Sequence, residues 1–249
     1  MDATRREFGS QFLGALVAYG FVETCWRRDL FAQEVRPTID AWFKELGEMT
    51  ADLRGRRLTD VQFQERMEAL YRRVDLPALC RFVKLDEVER RKLPDNGALS
   101  AGFDLGGVGG LPAAPGFGKQ IFGCGRGRSI VPHGHANMCT GFIVLKGRWA
   151  GKHYDRVETA ADHYLIRPTI DKEFGPGEVS TISDHKDNVH WFRAATDGAY
   201  IFNVHVDGYD PRLGAGSGRL YLDPAGERVA GGLIKAAKMS SADCHRKYG

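Results

Sequence analysis

A chain of 249 residues, 43% of them hydrophobic, holds apolar material for one large core or two modest ones. Its formal net charge of +3 is spread evenly, with 17 basic against 17 acidic residues up to position 97 and 18 against 15 beyond it, which excludes the clustered positive face that a nucleic-acid partner requires. Five cysteines, odd in number and without a CxxC pair, argue against a disulfide framework or a cysteine-ligated zinc and fit a reducing, cytoplasmic setting, and no run of about 18 apolar residues offers a membrane span.

The chain opens with "TRREFGSQFLGALVAYGF", where Arg5 and Arg6 precede an apolar run at 12–22. This is similar to a twin-arginine export signal, which makes a periplasmic location the alternative to the cytoplasm. Glu23, Thr24 and Cys25 follow the run where small residues should mark cleavage, and Phe8, Phe12, Leu16 and Tyr19 repeat at helical spacing. The expectation is therefore an ordinary amphipathic first helix. Pro37 suits a first helical position, and Ile39, Trp42, Phe43 and Leu46 then share one helix face. Thr59 and Gln62 form a capping box, with Leu58 and Phe63 as a hydrophobic staple and Phe63, Met67, Leu70 and Tyr71 as the apolar stripe. Asp75 and Pro77 open one or two short helices over 76–93. Residues 1–97 contain no histidine and carry dispersed charge, as a helical cap or a homodimerisation module would.

Glycine, proline and alanine crowd 94–118, which reads as linker and loop. Short alternating or β-branched segments follow at 119–122, 141–145, 149–157, 163–167, 177–182, 189–193, 199–206 and 220–222, with the spacing of an antiparallel sandwich or barrel. The last ten residues suit a short helix capped by Ser240 or Ser241. The expectation is an α+β multidomain chain, helical over 1–97 and all-β over 98–249.

All eight histidines lie in the second half, and "IVPHGHANMCTGFIVLKG" places two of them at the mouth of an apolar strand. His133 and His135, two apart on extended backbone, point to one side, so both rings can reach a single ion. A third donor has to come from another strand. "PGEVSTISDHKDNVH" offers it, with a turn at Pro176 and Gly177, a polar loop, and His190 at the start of the next apolar segment.

Those two segments resemble the cupins. Gly127, His133, His135 and Gly147 match the spacing of the first cupin motif, with Thr140 standing where a glutamate is expected, and the second segment is similar to the second motif with two additional residues. The resemblance covers about 119–206 and implies a double-stranded β-helix, a jelly-roll barrel with the histidines in its mouth. Thr140 in place of glutamate leaves a set of three neutral imidazoles, His133, His135 and His190. That is similar to the three-histidine branch, which includes thiol dioxygenases of the cysteine dioxygenase type. The branch implies Fe(II), while zinc, nickel and manganese also suit imidazole sites. Cys139 sits one residue before the position from which cysteine dioxygenases cross-link to a tyrosine. His205, 15 residues after His190, resembles their proton-relay histidine, although Asp207 rather than tyrosine follows it.

His205 reads equally as a core residue. The second ring nitrogen of a metal-bound imidazole needs a partner of its own, for which Asp184, Asp187 or a backbone carbonyl qualifies. His153, His163, His185 and His245 read as surface residues, and Tyr154 and Arg156 as residues that alternation alone cannot assign to the barrel interior. Arg126 and Arg128, just before the HxH pair, are candidates to hold a substrate carboxylate. The function expected is oxidation of a small anionic metabolite, a thiol or an amino or keto acid, by O2 at an iron centre. The alternative is a cupin isomerase or ligand-sensing module without oxygen chemistry.

Overall fold

The computed structural model describes residues 38–112, 114–214 and 218–249. The expectations for Arg5, Arg6, the first helix and Pro37 lie outside them. Among the described residues, four helices come first. α1 (Ile39–Arg54) is capped by the Thr38 hydroxyl, which accepts from the Ala41 N–H, and has Asp40 in its first turn and Arg54 in its last, each opposing the helix dipole. α2 (Asp60–Arg72) opens with the expected capping box, both reciprocal hydrogen bonds between Thr59 and Gln62 being present. α3 (Leu76–Phe82) is capped by Asp75 with Pro77 in its first turn, and α4 (Leu85–Glu89) follows directly. None of the helices among the described residues is long and apolar enough to cross a membrane.

Twelve strands build two antiparallel sheets. The first has the order β1 (Leu99–Ala101), β2 (Gly118–Cys124), β9 (Ala199–Asp207), β4 (Met138–Lys146), β7 (Val179–Ile182). The second runs β10 (Leu220–Tyr221), β3 (Ser129–Gly134), β8 (Val189–Ala194), β5 (Trp149–Thr159), β6 (His163–Phe174), β12 (Leu233–Ala237), β11 (Glu227–Val229). The sheets face each other as a jelly-roll sandwich, the fold class expected. Their inner faces share a core in which Phe122, Phe142 and Ile201 of the first sheet join Trp149, Phe174 and Phe192 of the second.

The outer face of the first sheet is covered too. Phe202, Val204 and Val206 of β9 and Cys139, Ile143 and Leu145 of β4 form one hydrophobic cluster with Trp42, Phe43, Met67 and Tyr71 of α1 and α2. Being buried on both faces, β4 and β9 have near-continuous apolar sequences instead of alternating ones. α2 approaches closest at Gly141, where a Cβ would lie 2.2 Å from Met67 Sδ. The helices and sheets of Pro37–Gly249 form one compact unit. The C-terminal α5 (Ser241–Tyr248), capped by Ser240, packs on β3 and buries Cys244.

Candidate metal centre

β3 presents His133 and, one residue past its end, His135; β8 presents His190 directly opposite His133 in the ladder. Cross-strand partners share a sheet face, so these three rings meet inside the sandwich. Their exposures are 2%, 5% and 1%. Ring centroids lie 4.1 Å apart for His133 and His190, 4.8 Å for His133 and His135, and 5.3 Å for His135 and His190. One nitrogen from each lies within 4.8 Å of the other two. A shared ion at a bond length of about 2.1 Å would need roughly 3.3 Å between donors.

The other ring nitrogens decide which atoms are free. His133 Nδ1 donates to the Val131 carbonyl at 2.7 Å and His135 Nδ1 to the Gly218 carbonyl at 3.1 Å, so Nε2 of both carries the lone pair. These are backbone partners, while Asp184 and Asp187 are engaged elsewhere. Asp184 accepts from the N–H groups of Asn137 and Met138 and from the Tyr209 hydroxyl, and Asp187 from Thr169. His190 Nδ1 is buried without a partner among the described residues. Burial drives the protonation equilibria of all three rings down, His135 to about 3, with neighbouring histidines and Arg219 pushing the same way. Three neutral imidazoles with converging lone pairs, one of them holding an orphaned buried nitrogen, fit a divalent transition metal. The chain turns away immediately after the pair. Asn137 adopts the left-handed conformation with φ 57° and ties the loop at 210–214 through hydrogen bonds to Asp210 and Gly214.

The first sheet supplies the opposite wall of a cavity of about 220 Å³. Thr140 faces it, as the cupin spacing expects of the glutamate position, but its hydroxyl is committed, donating to the Val204 carbonyl at 3.0 Å and accepting from Asn203 Nδ2 at 2.6 Å. Asn203 Oδ1 accepts from Gln120 Nε2 at 3.2 Å, and Gln120 Oε1 accepts from the Ser100 hydroxyl at 2.8 Å. His205 also lines the cavity, with Nδ1 3.4 Å from Asn203 Oδ1. Because that oxygen can only accept, Nδ1 bears the proton and Nε2 the lone pair. Burial holds this imidazole below its ordinary value, with Asp207 opposing. Its ring lies over Gly118, where a Cβ would come within 2.2 Å of Nε2. Cys139 points the other way, into the helical cluster with Sγ 4.0 Å from the Asp60 carbonyl, so a cross-link to a tyrosine in the cavity has no geometry.

Three expectations need correction. Arg126 and Arg128 do not line the cavity. They lie in and just after the turn before β3, Arg128 about 16 Å of extended chain before His133 and Arg126 farther still, with Arg126 paired to Asp197 and Arg128 donating to the Gly249 carbonyl. The arginine at the cavity is Arg219, brought there because β10 pairs with β3 and sets Tyr221 opposite His133. His153 is no surface residue. It sits opposite His190 in the next strand, 0% exposed, with Nε2 2.9 Å from the Ser180 hydroxyl. Burial lowers it to about 4. Tyr154 accordingly faces outward, into a separate cluster with Tyr164 and Ile234. His185 is exposed and bonded to Asp60, while His163 and His245 are half-buried.

The fold and site define a two-sheet jelly roll with three histidines in its mouth. No family model matches this chain, and no curated protein matches it. The solved structures it is similar to include an oxalate oxidase, 16% identical over 45% of this chain and 52% of that one, with a TM-score of 0.34. They also include a cupin-superfamily sugar phosphate isomerase from Silicibacter pomeroyi (20% identical, 44% and 59% covered, TM-score 0.32) and a cupin-superfamily protein from Desulfitobacterium hafniense (11% identical, 47% and 83% covered, TM-score 0.31). The chain spans about half the length of the oxalate oxidase chains it matches. The chemistry has to be argued from the residues.

Proposed function

We propose that this protein is a metal-dependent cupin oxidoreductase, a non-haem Fe(II) dioxygenase of the three-histidine kind that oxidises a small anionic metabolite, a thiol or an amino or keto acid. One observation carries the reading: three buried imidazoles from two strands turn their free nitrogens into one cavity that also receives Arg219. Fe(II), if bound there, would supply the redox chemistry between substrate and O2. His133, His135 and His190 would hold it, two of them with ring orientation fixed by backbone carbonyls. Phe122, Phe142 and Ile130 keep the cavity wall apolar and limit bulk water. His205, with its Nε2 lone pair across the cavity, accepts a proton from the bound substrate, and Asn203 holds its tautomer. Cys139 faces α2, so the reading is of a thiol-dioxygenase-like centre without a cysteine–tyrosine cross-link.

The test is metal analysis of the purified protein together with an oxygen-electrode trace over thiols, amino acids and keto acids. Oxygen uptake that requires added Fe(II), and that His133→Ala removes along with the iron, is the expected result. Zinc or nickel without oxygen uptake would replace this reading with an isomerase or ligand-sensing module.

A further inference from the structure

The metal cavity is not closed behind Arg219. A second compartment of about 150 Å³ adjoins it, and Gln120, Phe122, Ile130 and Arg219 line both. Its remaining walls come from β1 at Ser100, from β3 at Ser129 and from the C-terminal helix at His245. Arg219 stands at the junction with its guanidinium carbon 5.7 Å from the centre of the Phe122 ring.

Most hydrogen-bonding groups here are already used. Gln120 spends its amide on Ser100 and Asn203, the Ser129 hydroxyl donates to the Tyr248 carbonyl, and His245 Nδ1 donates to the Ser241 carbonyl at 2.9 Å. Arg219 differs. It forms no ion pair among the described residues, and no carboxylate lines either compartment. A guanidinium has five donors in a planar fork, and Arg219, an exposed residue that lines both compartments, meets no anion in their walls.

Resting on the dioxygenase reading above, we propose that Arg219 and the compartment beyond it form a second subsite, which takes the carboxylate tail of an elongated substrate whose other end is held at the histidines. A planar carboxylate matches one guanidinium through two parallel bonds. A phosphate dianion calls for more cationic partners or a cradle of N–H groups, and neither compartment has a lysine or a second arginine in its walls. The substrate class is thus a carboxylic acid with a separate metal-binding head group, longer than the metal cavity alone accommodates.

The test uses the full-length, Fe(II)-loaded protein under nitrogen, with calorimetric titration of straight-chain α-hydroxy acids of rising length, each with and without a carboxylate at the far end. Metal content is measured on every sample. Wild type should favour the longer diacids over matched monoacids by about tenfold, Arg219→Met should abolish that preference with iron content unchanged, and Arg219→Lys should restore only part of it. Ser100→Phe, a change on an exposed edge-strand residue that fills the compartment, should move the preference to shorter acids. Equal binding of diacids and monoacids by wild type, a preference that survives Arg219→Met, or competition by inorganic phosphate as strong as by the diacids would overturn the subsite. Failure of the protein to hold any iron would instead overturn the dioxygenase reading, and diacid preference in that metal-free protein would still report on Arg219.

Discussion

Acid should unfold the metal-free protein through its buried histidines. His135 and His153 are 5% and 0% exposed, and burial lowers them from the ordinary 6.5 to about 3 and about 4. Between each folded value and 6.5 the unfolded chain binds a proton that the folded chain refuses, so stability is complete above about pH 6.5 and falls as pH drops through this window. About pH 5 lies roughly 1.5 pH units below the ordinary value, so each ring costs about 2 kcal/mol there, and the two about 4 kcal/mol. His133, His190 and His205 are also held down by burial and add in the same sense. A domain has about 5–15 kcal/mol in total, so this is a large share. Asp184, whose carboxyl burial raises, gains in the opposite sense at lower pH, which is why the comparison stops at about pH 5. The assay is urea unfolding of metal-free protein at about pH 7.5 and 5, followed by fluorescence of the buried Trp42 and Trp149. His153→Gln, which retains a partner for Ser180, should reduce the difference between the two conditions by about 2 kcal/mol. Unfolding free energies within about 1 kcal/mol of each other at the two pH values would refute the claim that these rings are held neutral by burial.

Two further outcomes follow from packing. Gly118→Ala puts a methyl group 2.2 Å from His205 Nε2, so the ring must leave its place over β2; turnover should fall about 100-fold or more, the range of a lost acid–base group, with iron content unchanged, and unaltered turnover would remove His205 from the mechanism. Phe202→Ala opens a cavity between the sheet and the helices, where this ring meets Trp42, Tyr71 and Phe103 at 5.5–6.1 Å between centroids; a loss of about 3–5 kcal/mol in urea unfolding is expected, and a loss under 1 would mean that the helices contribute little to the stability of the sheet.

What was legible in the sequence is what depends on near neighbours. The box at Thr59 and Gln62 is a three-residue signal, and the HxH pair declares its shared face through the period of extended backbone. His190 was legible through the turn before it. His153 was not, because "GKHYDRVE" surrounds it with charges, and only the register of β5 against β8 turns it inward. Arg219 was hidden for the same reason. Nothing in "GSGRLYL" shows that β10 closes onto β3 and so carries the exposed Arg219 to the cavity. The docking of the helices had a usable signal, since unbroken apolar runs in β4 and β9 imply cover on both faces. β11 has one apolar residue in three and β12 spans only Leu233–Ala237, so pattern alone passes over them.

The two sheets divide the site between them. The second contributes every candidate metal ligand; all three depend on β3 and β8 staying in register, and His133 and His135 also on carbonyls at Val131 and Gly218. The first contributes the polar wall, in which Ser100, Gln120, Asn203 and Thr140 form one hydrogen-bonded chain across β1, β2, β9 and β4. That chain lies on the inner face of a sheet whose outer face is clamped by α1 and α2, so the helices, remote from the metal, fix the placement of His205 and Thr140 but not of the ligands. In the proposed reading the ion-binding histidines of one wall and the proton acceptor of the other can therefore be altered separately, and the distance between them is set by the core of Phe142, Phe192 and Trp149 that joins the sheets. In the proposed reading substrate selection falls to Arg219, carried at the edge of the second sheet just before β10, where the cavity continues.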